Sequence, residues 1–253
     1  MGVPIWNRRH TKEVNLRNFR SDNAFVWQKR NYGLSQLEAA ARIAIDLDES
    51  KLIDIIVEDG SYGAETYIYE GRVFSRDLVD SILELNYLFK CFPSGVGKIL
   101  DIGAGYGRFS YRALEVGFTK QAVCVDAVPI GTLTSKVYLD EEIQNNKAQV
   151  IGVDELHKLK NHEIDLAINI HSFSEMSLSA VNLWVEFLNS IQVPWLFVVP
   201  NPPTLSLNNL TSFEDILKSK GFEVFDCREK YADHILKGEA IYPSTFYLLR
   251  KSN

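Results

Sequence analysis

From residue 98 onward, short apolar runs alternate with amphipathic stretches. The runs are KILDI (98–102), AVCVDA (122–127), QVIGV (149–153), IDLAINI (164–170), WLFVV (195–199), FEVFDC (222–227) and TFYLLR (245–250). Each is short, rich in β-branched residues and bounded by glycine, proline or charge, which predicts a buried strand. Helical periodicity fills 106–116, 128–142, 177–191 and 211–220 between them. Such alternation predicts an α/β fold: a Rossmann-like, mostly parallel sheet of seven strands with helices on both faces. The segment 228–244 between the last two strands lacks a helical pattern, so the last strand is expected to be antiparallel.

Ahead of this region the pattern differs. Ser35 to Asp46 is rich in Ala, Leu and Ile at helical spacing, and TYIYE reads as a short strand. Ser75 opens a second helix, SRDLVDSILELNYLF, as an N-cap with Asp77 in the first turn. Residues 1–33 are polar and basic with scattered aromatics, an arm that folds over something or stays partly disordered. The expected division is 1–97, an N-terminal arm and helical cap, and 98–253, a Rossmann-like domain.

The totals narrow the classes. The chain has 253 residues, a net charge of −6 and no basic excess, which argues against a nucleic-acid partner. Cys91, Cys124 and Cys227 are widely spaced and give neither a disulfide framework nor a zinc spacing. No apolar run reaches the ~20 residues of a membrane span. The N-terminal stretch MGVPIWNRRHTKEVNLRNFR lacks the apolar segment of a signal peptide, so a cytoplasmic protein is expected.

The chemistry concentrates at KILDIGAGYGR. Its turn, Gly103-Ala104-Gly105-Tyr106-Gly107-Arg108, has the pattern G-x-G-x-G, with arginine where a dinucleotide fingerprint has its third glycine. Asp101 stands just before the turn. A pyrophosphate at a helix N-terminus disfavours a neighbouring carboxylate, whereas the ammonium of S-adenosylmethionine suits one. Asp126, with Ala127 after it, ends the second strand where an acid takes ribose hydroxyls. Asp154 or Glu155, past the third strand, is placed to accept from an adenine amine, Asp154 being the nearer. Each of these acids has the alternative of being a solvated loop-end charge.

The series LDIGAGYGR, VCVDA, GVDEL and IDLAINIHSFSEM resembles the class I S-adenosylmethionine-dependent methyltransferases. More narrowly it is similar to the sugar O-methyltransferase family, over roughly residues 60–250, in SRDLVDSILEL, NIHSFSEM and YPSTFYLL. The resemblance implies S-adenosyl-L-methionine as cofactor, held by Asp101, Gly103, Ala104, Gly105, Tyr106, Asp126, Ala127, Asp154, Glu155 and Asn169. It implies a small-molecule or glycan acceptor, with a nucleotide-linked sugar among the options. The acceptor itself, the oligomeric state and the pathway are not set by these residues.

The fourth strand runs out into Asn169-Ile170-His171-Ser172-Phe173-Ser174-Glu175-Met176, bringing an imidazole and a carboxylate to the carboxyl edge of the sheet. A sugar hydroxyl needs its proton removed, and histidine ordinarily titrates near pH 7. His171 is the expected base, with Glu175 orienting it or holding the sugar; the reverse assignment comes second. The alternative is packing for His171 and helix capping for Glu175. No acid cluster suggests a metal. Trp27, Tyr32, Tyr67 and Tyr69 are candidates to stack on a sugar, Lys29, Arg30 and Arg72 to meet a phosphate, and Asn201-Pro202-Pro203-Thr204 and His234 to line the pocket.

Overall fold

The computed structural model describes residues 15–21, 33–58, 60–143, 146–161, 163–230 and 245–252. Helix α1 (Leu34–Asp46) is followed by a hairpin, β1 (Thr66–Tyr69) and β2 (Arg72–Ser75), and by helix α2 (Arg76–Cys91). Then come β3 (Val96–Ile102), α3 (Arg108–Glu115), β4 (Thr119–Val125), α4 (Pro129–Glu142) and β5 (Ala148–Ile151). The chain continues through β6 (Leu166–Ile170), a short α5 (Ser172–Glu175), α6 (Leu178–Ser190), β7 (Trp195–Val199), α7 (Glu214–Ser219), β8 (Phe222–Glu229) and β9 (Thr245–Lys251). The hairpin partner β2 and the short α5 carry no sequence signal of their own length.

Strands β3 to β9 form a seven-stranded sheet in the order β5-β4-β3-β6-β7-β9-β8. All neighbouring pairs are parallel except those of β9, which is antiparallel to both β7 and β8. Strand alternation sends Ile99, Leu166, Ile168, Phe197 and Leu248 to one face, where they pack with α1, α2 and α3. Leu100, Ile102, Ala167, Leu196 and Leu249 point to the other, against Val181, Trp184, Val185 and Leu188 of α6. Both faces are therefore covered, which is why the strands read as continuous apolar runs.

Ser75 caps α2 by accepting the Leu78 backbone N–H (3.2 Å). The helix buries Leu78, Ile82, Leu85 and Leu88 in the same cluster as the sheet residues. The described residues of α1, β2 and α2 thus share a core with the sheet. No helix among the described residues is long and apolar enough to cross a membrane.

Candidate active site

A cavity of about 430 Å³ opens at the carboxyl ends of β3, β4 and β6. That is within the roughly 300–1,000 Å³ of small-molecule sites, and the edge is where open α/β sheets bind ligands.

The glycine turn forms its floor. Gly103 (φ 72°) and Gly105 (φ 58°) have left-handed backbones. A Cβ on Gly103 would also lie 2.2 Å from the Ser172 hydroxyl, so no other residue fits between β3 and the start of α5. Four of the turn's N–H groups are engaged within the protein. Gly103 and Ala104 N–H donate to Val125 O (2.8 and 3.2 Å), and Gly107 N–H to Ala104 O (2.8 Å). Gly105 N–H donates to Asp126 Oδ2 (2.9 Å). Arg108 is engaged by both carboxylate oxygens of Glu84 (2.8 and 3.1 Å). The four glycine and alanine N–H groups are thus turned inward, and the carboxylates of Asp101 and Asp126 line the cavity where a pyrophosphate's charge would fall. The turn offers carboxylates.

Asp101 is buried at the end of β3 and lines the cavity. Ser110 of α3 donates to its Oδ2 (2.8 Å). Burial pushes its carboxyl up to about 7, against the Ser110 hydrogen bond and the nearby Arg108. Asp126 accepts Gly105 N–H on one oxygen and Val128 N–H (2.7 Å) on the other. Burial pushes it up to about 6 against those two donors. Gly131, in the first turn of α4, leaves the room this carboxylate occupies: a Cβ there would lie 2.6 Å from it. Ala104, Tyr106 and Ala127 complete this side of the cavity.

These residues fit S-adenosylmethionine. A buried carboxyl held above its ordinary range gains from a cation, and the ammonium supplies one. Asp126 retains lone pairs for a ribose diol while its backbone donors fix its position. Nothing in the turn calls for a phosphate.

At the other end His171 follows β6 with φ 66° and ψ −31°, a sparsely populated conformation for a non-glycine residue. It is held there by its N–H to Val199 O (2.7 Å) and by Ser174 N–H to its carbonyl (3.1 Å). Its Nδ1 is buried with no hydrogen-bond partner among the described residues. Burial lowers its pKa to about 3, opposed by Asp80. The expectation of an imidazole titrating near pH 7 is therefore corrected: desolvation of the ring favours neutral His171 at physiological pH, although the residue is only half-buried and lines the cavity. Glu175 lines the same cavity and accepts from Asn201 Nδ2 (3.3 Å) of the loop after β7, which itself lies outside the cavity lining.

Other expected residues lie elsewhere. Asn169 is fully buried behind the cavity lining. Its amide donates to Ile102 O (3.0 Å) and Ser172 Oγ (2.6 Å), and its oxygen accepts Phe173 N–H (2.9 Å). It braces β3 against α5. Asp154 and Glu155 sit on a 3₁₀ turn, Val153–Lys158, outside the cavity lining. Glu155 accepts Gly152 N–H (3.0 Å) and pairs with Lys158, whose hydrogen bond pulls its carboxyl below the usual range. Tyr67 donates to Leu37 O (2.8 Å) and stacks on Phe74, and Arg72 pairs with Asp54 at the surface. Trp27, Lys29, Arg30, Tyr32 and His234 lie outside the described residues. Among those described, no three His, Cys, Asp or Glu side chains gather as a metal site would. The sequence reading missed Asp77 and Asp80, whose spacing of three puts both on the cavity side of α2, and Val128 and Trp184 opposite.

No protein-family model matches the chain, and no curated protein does. Solved structures match in fold. A Leishmania major S-adenosylmethionine-dependent methyltransferase superposes with a TM-score of 0.51 at 15% identity, covering 68% of this chain and 71% of that one. A Pyrococcus horikoshii protein described as a candidate RNA methyltransferase gives 0.52 at 19%, covering 85% and 98%. The m1A22 tRNA methyltransferase of Bacillus subtilis gives 0.50 at 14%, covering 67% and 65%. The fold is that of the class I S-adenosylmethionine-dependent methyltransferases.

One expectation is overturned by this. The acidic total was read as excluding a nucleic-acid partner, yet a tRNA methyltransferase shares the fold. Net charge sums over the whole chain, whereas nucleic acid meets only a local surface, so the exclusion does not hold.

Proposed function

We propose that the protein is an S-adenosylmethionine-dependent methyltransferase and that its acceptor is a sugar hydroxyl. The carrying observation is the pair of raised carboxyls, Asp101 and Asp126, lining the cavity at a glycine turn whose Gly103, Ala104, Gly105 and Gly107 N–H groups are bonded within the protein. That pair suits a cationic, ribose-bearing and phosphate-free cofactor. Bound in this way, the cofactor supplies an electrophilic methyl carbon on a sulfonium. Asp101 holds the ammonium, and Asp126 holds the ribose.

Support for a hydroxyl acceptor comes from the other end of the cavity. His171 at about 3 is a weaker base than an ordinary carboxylate, so the roles expected from sequence are exchanged. Glu175, oriented by Asn201, takes the hydroxyl proton as the new C–O bond forms and the S–C bond breaks. The neutral His171 ring, which lines the same cavity, packs beside the acceptor. The sugar class rests on the resemblance in NIHSFSEM.

A second reading, a base nitrogen of RNA, is favoured by the names of two of the fold's relatives. Such a nitrogen carries a free lone pair and needs no general base. Methyl-labelled S-adenosylmethionine, incubated with nucleotide sugars and separately with bulk tRNA, tests both. Label in the sugar fraction, with kcat reduced ~10²–10⁴-fold in Glu175→Gln, is the expected outcome. Label in tRNA that survives Glu175→Gln replaces the sugar reading with the RNA one. No transfer to any acceptor and no binding of S-adenosylhomocysteine would sink the methyltransferase reading.

A further inference from the structure

Phe19 and Arg20, on a single 3₁₀ turn (Phe19–Ser21), are among the most buried residues of the protein, each 1% exposed. A charged side chain from a polar segment is rarely buried this deeply without a role. Arg20 donates from Nε and Nη2 to Asp77 Oδ2 (3.2 and 3.0 Å). The same Nη2 meets Glu58 Oε2 (2.7 Å), and Nη1 meets Ser61 O (3.2 Å). Asp77 Oδ2 is also the partner of the Tyr106 hydroxyl, and Tyr106 belongs to the glycine turn. Both Asp77 and Tyr106 line the cavity.

Packing follows the same route. The Phe19 ring lies 4.8 Å from Tyr62, 5.5 Å from Tyr106 and 6.3 Å from Tyr138. Next to it, Asn18 approaches Gly63 so closely that a Cβ there would sit 1.6 Å from its side-chain oxygen. The turn Ser61–Gly63 is thus shaped to receive residues 18–20. Arg112 of α3 adds a second cation 3.7 Å from Glu58, so two arginines face two carboxylates in a closed cluster.

We propose that Asn15–Ser21 is a strap that sets the cofactor turn. Arg20 fixes Asp77, Asp77 fixes the Tyr106 hydroxyl, and Tyr106 fixes the conformation of Gly103–Gly107. Arg20 is a positioning residue: it touches neither cofactor nor acceptor. This inference rests on the cofactor reading above and adds to it a segment some 80 residues upstream of the glycine turn.

The test uses reciprocity: if seating the strap favours the cofactor-ready turn, cofactor binding must favour the seated strap by the same factor. Hydrogen exchange of the wild-type amides of residues 17–21 is measured with and without S-adenosylhomocysteine. Slowing of ~5–100-fold is expected for a coupling of ordinary size. Unchanged exchange there, with binding verified by calorimetry, overturns the proposal. Failure of wild type to bind S-adenosylhomocysteine would instead overturn the cofactor reading. A second measurement is a cycle of Arg20→Lys and Tyr106→Phe read as Kd. Each is expected to weaken binding ~10-fold, and the double variant no more than the worse single one, because both cut one chain of contacts. Multiplying effects would make the two sites independent and refute the strap. If Arg20→Lys does not fold, the exchange measurement on wild type decides alone.

Discussion

Replacing Asp101 by asparagine should stabilise the empty protein and disable the cofactor site. The carboxyl is buried, with one hydrogen bond, from Ser110. Its pKa is about 7 in the fold against an ordinary 3.8. That gap corresponds to about 4 kcal/mol of stability missing above pH 7, and less than half of that at pH 5. The sign follows from the raised value. The protonated carboxyl is the form the fold tolerates, so stability is complete below 3.8 and is lost as pH rises towards 7. An asparagine oxygen can still accept from Ser110, while the charge is gone. Burying the asparagine NH2 without a new acceptor offsets part of the gain, so about 2 kcal/mol at pH 8 is the expected yield, or ~4–8 °C in Tm for a chain of this size. At pH 5 the gain should be less than half as large. The same variant loses a charge-assisted contact to the ammonium, about 1.5–3 kcal/mol or ~10–100-fold in S-adenosylhomocysteine affinity. Thermal melts at the two pH values and calorimetric titration check both halves. A variant no more stable than wild type at pH 8, or one that binds S-adenosylhomocysteine as tightly, would refute the account of this residue.

Two further outcomes follow from the geometry. Asp154→Asn and Glu155→Gln, outside the cavity, should change the Kd for S-adenosylhomocysteine less than ~3-fold; a tenfold loss in either would place the adenine on that turn. Asn169→Ala should leave Phe173 N–H without its partner, while Ile102 O keeps the Ser172 hydroxyl, and cost about 1–3 kcal/mol, read as a lower denaturation midpoint at unchanged m-value. A midpoint within error of wild type would show that Asn169 does not brace the site.

Much of the site was legible because its residues are neighbours in sequence. Asp101 and the glycines lie within one strand–turn–helix unit, and Asp126 ends the next strand, so chain order alone sets them side by side once the strands pair. Asp77 and Tyr106 were not legible as partners. They are 29 residues apart, and only the packing of α2 beside α3 joins them. Asp154 and Glu155 lie apart from these: the strand before them ends at Ile151, and the 3₁₀ turn that follows leaves both acids outside the cavity lining.

What the sequence by itself determined is the architecture. Apolar runs of strand length must be buried on both faces, alternating helices must cover them, and the sheet that results carries its ligand at the carboxyl edge. Tertiary structure decided the electrostatics. Whether a carboxyl titrates near 4 or near 7, and whether a histidine is a base or a neutral ring, depends on how much water is removed around it. Asp101, Asp126 and His171 lose theirs to residues from distant parts of the chain. No local pattern contains that information, because desolvation is a property of the assembled core.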